Sequence, residues 1–162
     1  MKRLLPIVLA GLFGQAASAE EVDPFAFVGL DVSDLKQFVW EKRPIVVFAD
    51  SPNDPNFGLQ MEYLEQQSAA LAERDVIVLT DTDPGASGPL REALRPRGFM
   101  LVLIGKDGGV KLRKPFPWDV RELSRTIDKM PTRQREIRER RGSDESCAFR
   151  LIGTPALPIF KV

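Results

Sequence analysis

Apolar runs alternate with turn-forming residues along the middle of the chain. Uninterrupted apolar runs at 45–49, 76–79 and 99–104 have the length of strands and predict strands covered on both faces. A Lys-Asp-Gly-Gly turn follows the third run, and residues 110–114 after it are predicted to form the second strand of a hairpin. We therefore expect three central, mostly parallel strands closed by an antiparallel hairpin.

Helical patterns separate the predicted strands. Ser33 is the expected cap of a first helix, and Pro131 breaks or restarts the last one. Alternating strands and helices favour parallel pairing, with helices on both faces of the sheet. The predicted helices cover 34–41, 57–73, 89–94 and a last segment that opens at Pro117 and Trp118.

This order of elements places the chain in the α/β class, as a single domain that matches the thioredoxin fold. The optional first strand of that fold would fall at 25–30. We predict that the thioredoxin-like domain spans 20–141, because helical periodicity is lost after it. Residues 142–162 are expected to form an irregular C-terminal tail, where glycine and proline discourage regular structure.

The N-terminus has the three-part layout of a secretory signal. Two basic residues are followed by an apolar run from Leu4 to Phe13 and then by Ala17-Ser18-Ala19. We expect residues 1–19 to be a cleavable signal peptide, which makes the product periplasmic or secreted, and soluble after cleavage. A transmembrane helix needs about 20 apolar residues, and this run is shorter, so we predict no membrane span.

The composition excludes several reaction classes. The chain contains no histidine, which rules out histidine-assisted hydrolysis and histidine-ligated zinc or haem. Its single cysteine, Cys147, cannot form an intramolecular disulfide or a Cys-x-x-Cys redox pair. The chain has 23 Lys and Arg residues and 23 Asp and Glu residues, so its formal net charge is 0. It therefore lacks the excess of basic residues that is typical of nucleic-acid-binding proteins. We predict no cofactor, no metal and no nucleic-acid partner.

Four stretches carry a resemblance to a known family. They are Pro44–Ala49, Glu73–Val78, Leu103–Arg113 and Met130–Glu136, and the Gly-Lys-Asp-Gly-Gly-Val-Lys run in the third is the most specific. Over residues 34–141 the chain resembles the prokaryotic DUDES group of exported proteins of unknown function. That group is related to domains of sushi-repeat and other extracellular matrix proteins of vertebrates. The resemblance implies a thioredoxin-like fold and leaves the activity open.

Polar residues follow the first two predicted strands, at the edge of an α/β sheet where ligands bind most often. Redox thioredoxin-like proteins place their thiols where the first long strand meets the next helix, and Ser51-Pro52-Asn53-Asp54 occupies that position here. Alternatively, these side chains act only as turn residues and helix caps. The candidate binding residues are Asp50, Ser51, Asn53, Asp54, Asp81 and Arg97, with Asp83 nearby.

The aspartates of this edge could also gather around a hard cation such as calcium. Their spacing lacks the glycine-containing pattern of calcium loops, so we do not assign a metal site.

Two other regions carry charge that could bind an anion. Lys106–Gly109 could present backbone amides and a lysine to an anion, or it is only a hairpin turn. Basic residues of the last helix could contact a polyanion such as a glycan or a lipid headgroup, but nearby glutamates partly neutralise them, so a solvated helix is the alternative. These basic residues are Lys129, Arg133, Arg135, Arg138, Arg140 and Arg141.

Three functions stay open, and the first is favoured. It is an exported, non-thiol binding module of the cell envelope, with an envelope protein or a glycan as partner. The second is an enzyme with a carboxylate-based site at the Asp50–Asp54 loop, since paired carboxylates can divide acid and base roles. The third is one-cysteine peroxidase-like activity through Cys147, which requires a fixed electropositive pocket around the thiol. We assign no catalytic residue.

Overall fold

The structure is a computed structural model that describes residues 23–26 and 34–151, with side chains as far as Gly142. The signal peptide predicted for 1–19 lies outside the described residues, and so does the end of the predicted tail from 152 to 162. Only two residues of the optional first strand are described, and they belong to a turn.

Four strands form one mixed sheet. They are β1 (Arg43–Phe48), β2 (Val76–Asp81), β3 (Met100–Ile104) and β4 (Val110–Lys114), in the spatial order β2-β1-β3-β4. β1 and β2 run parallel, whereas β3 is antiparallel to both β1 and β4. The predicted α/β class and the closing hairpin are confirmed, and each strand lies close to its predicted position.

The prediction of three mostly parallel central strands is wrong for β3. The connection from β2 to β3 contains one α-helix of 6 residues, α3 (Pro89–Leu94). A parallel β3 would require the connection to return along the whole length of β2, which is about 20 Å. A helix of 6 residues extends the chain by only about 9 Å. Because the connection stays at one edge of the sheet, β3 starts there and runs back against β1.

The helices differ from their predicted bounds mainly at their ends. The helix predicted for 57–73 is interrupted at Gln67, whose φ of −125° and ψ of 33° are not helical. The first predicted helix is only a 3₁₀ turn, and its cap is Asp34, not Ser33. The other helices are α1 (Pro55–Gln66), α2 (Ser68–Ala72), α4 (Val120–Asp128) and α5 (Pro131–Leu151), with 3₁₀ turns at Leu35–Phe38 and Pro84–Ala86.

Trp40 lies two residues after the end of the first 3₁₀ turn. Its φ is 68°, in the left-handed region, and its amide donates a hydrogen bond to the Lys106 carbonyl at 2.6 Å. The residue is 70% exposed. The predicted continuation of the helix to Glu41 fails because a left-handed tryptophan cannot continue a right-handed helix.

The irregular tail predicted from residue 142 is wrong as far as Leu151, the last described residue, because α5 covers this segment. Pro131 suits the first position of a helix, and the residues after it are rich in Arg, Glu and Gln, which favour helix. Gly142 costs only about 1 kcal/mol inside such a helix. The backbone of Cys147 is therefore helical. No helix in the described ranges is both long and apolar enough to cross a membrane.

Apolar side chains of alternate strand residues pack on opposite faces of the sheet. On one face, Ile45 and Val47 join a core with Leu64 of α1, Leu71 of α2 and Leu123 of α4. On the other face, a second core lies under α3 and the first 3₁₀ turn. Its members are Phe38, Val46, Phe48, Ile77, Leu79, Leu90, Leu94, Val102 and Ile104.

The strand ends define two edges of the sheet. At the loop edge, β1 and β2 end and β3 begins, at Phe48, Asp81 and Met100. At the ion-pair edge, β1 and β2 begin, at Arg43 and Val76, and β3 ends. The candidate residues and a network of ion pairs lie at these two separate edges.

Candidate functional site

The sheet register brings the predicted site residues to the loop edge. Phe48 lies opposite Asp81 on one side and opposite Met100 on the other. The loops after β1, after β2 and before β3 therefore meet there. Asp50, Ser51, Asn53 and Asp54 lie in the first of these loops, Asp81 is the last residue of β2, Asp83 lies in the second loop, and Arg97 lies in the third.

Asp81 is held by an arginine that sequence analysis did not single out. Arg91 Nε donates to Asp81 Oδ1 at 2.8 Å, and Arg91 Nη2 donates to the Ala49 carbonyl at 2.6 Å. The guanidinium carbon lies 5.6 Å from the centre of the Phe48 ring. Arg91 thus fastens α3 to the ends of β1 and β2, and the Asp81 carboxylate is committed to this contact.

Three other polar side chains of the loop edge act as local caps. Asp54 Oδ1 accepts the Asn56 amide at 2.8 Å and caps α1. Ser51 Oγ accepts the Asn53 amide at 3.2 Å. Asp83 caps the 3₁₀ turn that follows it. The geometry therefore agrees with the interpretation of these three residues as turn and cap formers.

Asp50 and Arg97 are the charged candidates that stay accessible. Both are exposed, and among the described residues neither side chain has a hydrogen-bond or ion-pair partner. Gly98, with φ of 62°, lies beside Asp50, and a Cβ at Gly98 would be 3.7 Å from Asp50 Oδ2. The loops before β3 and after β1 therefore approach each other at Asp50.

The aspartates do not converge on a common point. In the described part of the chain no group of three or more acidic or cysteine side chains is placed to hold a metal ion. Asp54, Asp81 and Asp83 each bind a different backbone or arginine donor.

Sequence analysis missed an aromatic patch at the end of β4. Lys114 Nζ lies 3.8 Å from the centre of the Trp118 ring and 5.7 Å from that of Phe116. Gln60 of α1 fixes the segment, because Gln60 Oε1 accepts the Trp118 amide at 2.7 Å. Phe116 is 48% exposed. The Lys-Pro-Phe-Pro-Trp run at 114–118 was the available signal, since an aromatic residue directly after a proline, twice in succession, is not the pattern of a buried strand or helix.

The hairpin turn behaves as a turn and not as an anion site. Asp107 Oδ1 accepts the Gly109 amide at 3.2 Å, and the Lys111 ammonium donates to the same carboxylate. The hydrogen bond from Lys111 lowers the pKa of Asp107. Lys106 points its ammonium to Asp75 Oδ2 at 2.8 Å, away from any ligand at the turn amides.

Charged side chains from four segments meet at the ion-pair edge. Arg43 is fully buried, and its Nη2 donates to Glu136 Oε1 at 2.8 Å while its Nη1 donates to the Arg74 carbonyl at 2.7 Å. Lys106 bridges Asp75 and Glu136, at 2.8 and 3.1 Å. Burial raises the pKa of Glu136, but the hydrogen bonds and charges of Arg43 and Lys106 outweigh it and leave that pKa below its ordinary value.

A second part of this network joins α4 and α5 to the segment before β2. Arg74 forms two hydrogen bonds with Asp128, at 3.0 and 2.9 Å. This contact, more than any other, raises the pKa of Arg74. Arg133 is 2% exposed, and its Nη2 donates to Glu73 Oε1 at 2.9 Å. Arg133, a member of the predicted basic surface, is therefore a buried structural residue, whereas Arg135 and Arg141 are exposed.

One family model matches most of the described chain. It carries the description "Domain of unknown function (DUF4174)" and matches residues 34–136. No protein with a curated description matches this sequence.

Solved structures with a similar backbone include two peroxiredoxins and a thioredoxin. A reduced 2-Cys peroxiredoxin of Plasmodium vivax is 17% identical, with a TM-score of 0.48 over 58% of this chain and 80% of that one. A mitochondrial 2-Cys peroxiredoxin of Plasmodium falciparum is 20% identical, with a TM-score of 0.41 over 59% of this chain and 79% of that one. Chloroplastic thioredoxin z is 25% identical, with a TM-score of 0.43 over 55% of this chain and 80% of that one.

Proposed function

We propose that this chain, which belongs to the DUF4174 family of domains of unknown function, is an exported binding module that recognises an envelope protein through its loop edge. A glycan of the envelope is the alternative partner. The fold of the proposed module is thioredoxin-like, and its relation to the DUDES group and to sushi-repeat proteins is part of the same proposal.

One observation carries the proposal: the acidic candidates at the loop edge are committed to internal contacts, except Asp50. Asp54 caps α1 and Asp81 binds Arg91. What stays accessible is one carboxylate, one guanidinium at Arg97 and the half-exposed ring of Phe116, which follows the end of β4 where Lys114 pairs with Leu101 near the start of β3. An exposed aromatic side chain flanked by charges suits recognition of a partner surface.

The enzyme alternative needs two carboxylates in different environments. Asp50 has an accessible carboxylate, but the carboxylates of Asp54 and Asp81 are hydrogen-bonded to backbone amides or to Arg91. Among the described aspartates of this edge only Asp50 is without such a contact, which favours the binding function over a carboxylate pair.

The peroxidase alternative depends on the thiol of Cys147, whose backbone lies in α5. Hydrogen peroxide consumption by the chain and by a Cys147→Ser variant tests it directly. We expect equal, background rates for both, and a rate lost in the variant would replace the binding function with peroxidase activity.

Affinity capture from envelope extract tests the binding function. The bait is the chain from Glu20 onward, compared with an Asp50→Asn/Phe116→Ala double variant at the loop edge. A Glu41→Gln/Val110→Ala variant is the matched control, because both residues are exposed near the ion-pair edge. We expect one protein to be captured by the bait and the control and lost from the loop-edge variant. Equal capture by all three baits would refute the proposed surface.

The export step has its own test. Expression of the full chain in a bacterium with an outer membrane should give a periplasmic product that begins at Glu20, as read by intact mass. A product that keeps residues 1–19 in the cytoplasm would contradict export.

A further inference from the structure

A cleft of about 340 Å³ lies between the 3₁₀ turn Pro84–Ala86 and α3. Its volume falls at the lower end of the about 300–1,000 Å³ of small-molecule sites. None of the residues of the proposed partner surface lines it. The lining residues are Pro84, Ser87, Arg91, Glu92, Arg95 and Pro96.

Arg91 enters this cleft as a preorganised cation. Its Nε and Nη2 are fixed by Asp81 and by the Ala49 carbonyl, at 2.8 and 2.6 Å. Its third nitrogen, Nη1, has no acceptor among the described residues. A guanidinium that is already held in place loses little side-chain entropy when a ligand binds the remaining N–H groups.

Arg95 supplies a second cation on the same wall. It stands one helical turn after Arg91, is exposed, and has no acidic partner within the described part of the chain. It follows the last residue of α3 with φ of 48°. Glycine is the usual residue at such a left-handed position because a side chain is strained there, and Arg95 places its guanidinium beside the cleft in spite of that strain.

Ser87 also lines the cleft and is left-handed, with φ of 47°. Its hydroxyl can donate a hydrogen bond. Pro84 and Pro96 also line the cleft, and their fixed φ angles restrict the backbone at these two positions.

We propose that this cleft binds the carboxylate of a small ligand between the guanidinium groups of Arg91 and Arg95, with the Ser87 hydroxyl as a further donor. The planar fork of an arginine matches a carboxylate and forms charge-assisted hydrogen bonds with it. Glu92 lies in the same wall and favours ligands that also carry a hydrogen-bond donor. The carboxylate belongs either to a free organic acid or to the C-terminus of a peptide.

Titration of the isotope-labelled chain, followed by the Arg Nε–H and Ser87 amide signals, tests the site. The probes are succinate for a free acid and acetyl-triglycine for a peptide C-terminus, each at an ionic strength matched with sodium chloride. Acetyl-triglycine amide is the probe without a carboxylate. We expect saturable shifts at Arg91, Arg95 and Ser87 with a Kd on the order of 1 mM or tighter for at least one acid, and none with the amide.

Two variants separate binding from folding. Arg95→Gly removes the guanidinium and the left-handed strain together, so the melting temperature should stay equal or rise while affinity falls about tenfold or more. Arg121→Gln removes an exposed arginine of α4 that does not line the cleft, and it should bind as the parent chain does. Shifts that fail to saturate, that appear equally with sodium chloride or the amide, or that survive in Arg95→Gly overturn the proposal.

Discussion

The two edges of the sheet use charged residues in opposite ways. At the ion-pair edge the partners are distant in sequence, as for Arg43 and Glu136, which are 93 positions apart. At the loop edge Arg91 is the exception, since it reaches the Ala49 carbonyl 42 positions away, whereas Ser51 and Asp54 accept amides only 2 positions away. The first pattern ties segments together and hides the charges, whereas the second shapes a loop and leaves other side chains accessible. The difference suggests that stability and recognition are carried at opposite ends of the strands.

The largest expected effect comes from removing the buried cation of the ion-pair edge. Arg43→Met removes one of the two cations that contact Glu136 and the donor to the Arg74 carbonyl, and loss of one member of a buried ion pair costs about 3–5 kcal/mol in the free energy of unfolding. Urea denaturation measures this as a lower free energy of unfolding. Arg97→Met is the matched control at the loop edge and should change it by less than about 0.5 kcal/mol. Equal decreases in the free energy of unfolding for the two variants would contradict the proposed difference between the two edges.

Glu136→Gln should lower the free energy of unfolding by about 1–3 kcal/mol at neutral pH, because the charge-assisted hydrogen bonds from Arg43 and Lys106 are lost. Glu139→Gln, at an exposed position of the same helix, is the control.

This effect should also depend on pH. Since the pKa of Glu136 is lowered in the folded state, its stabilisation is complete above about pH 4.3, the ordinary pKa of a glutamate, and is lost as pH falls through the lower folded value. The difference in urea midpoint between the parent chain and Glu136→Gln should therefore narrow from pH 7 to pH 3. A constant difference would contradict the role of the Glu136 charge.

A smaller effect is expected from the cap of α1. Asp54→Ala removes the acceptor of the Asn56 amide and should lower the free energy of unfolding by about 1 kcal/mol. Asp54→Asn keeps a capping oxygen and should remain within a few tenths of a kcal/mol of the parent chain, by the same urea measurement. If both variants lost equal stability, the charge of Asp54 and not its capping bond would matter.

The smallest effect on stability is expected at Asp50, whose carboxylate has no partner among the described residues. Asp50→Asn should change the free energy of unfolding by less than about 0.5 kcal/mol while weakening capture of the proposed partner. A destabilisation as large as that of Asp54→Ala would show that Asp50 is a structural residue instead.

The sequence predicted what depends on local pattern. The apolar runs of β1 and β3, the hairpin turn and the capping role of Asp54 follow from neighbouring residues, and the structure agrees with them. The direction of β3 did not follow, because it depends on how far the short helix α3 can carry the chain. Helix α5 extended past its predicted end because helix propensity outweighed one glycine.

Partners far apart in sequence were beyond prediction. Asp81 was singled out because it ends a strand, but its contact with Arg91 requires α3 to fold back over the sheet. Arg133 looks like an exposed helix residue in sequence, and only the packing of α5 against Glu73, 60 positions earlier, buries it. A charge pattern along one helix cannot show which of its arginines another segment will cover.

The left-handed turn at Trp40 has a practical consequence for spectroscopy. The chain has 2 tryptophans, and their surroundings differ: the indole of Trp40 is 70% open to water, while that of Trp118 lies under an ammonium group. Acrylamide should quench the fluorescence of Trp40 first. In a Trp40→Phe variant the tryptophan fluorescence would come only from Trp118. A change in its intensity or emission wavelength would then measure binding of a partner without an added dye.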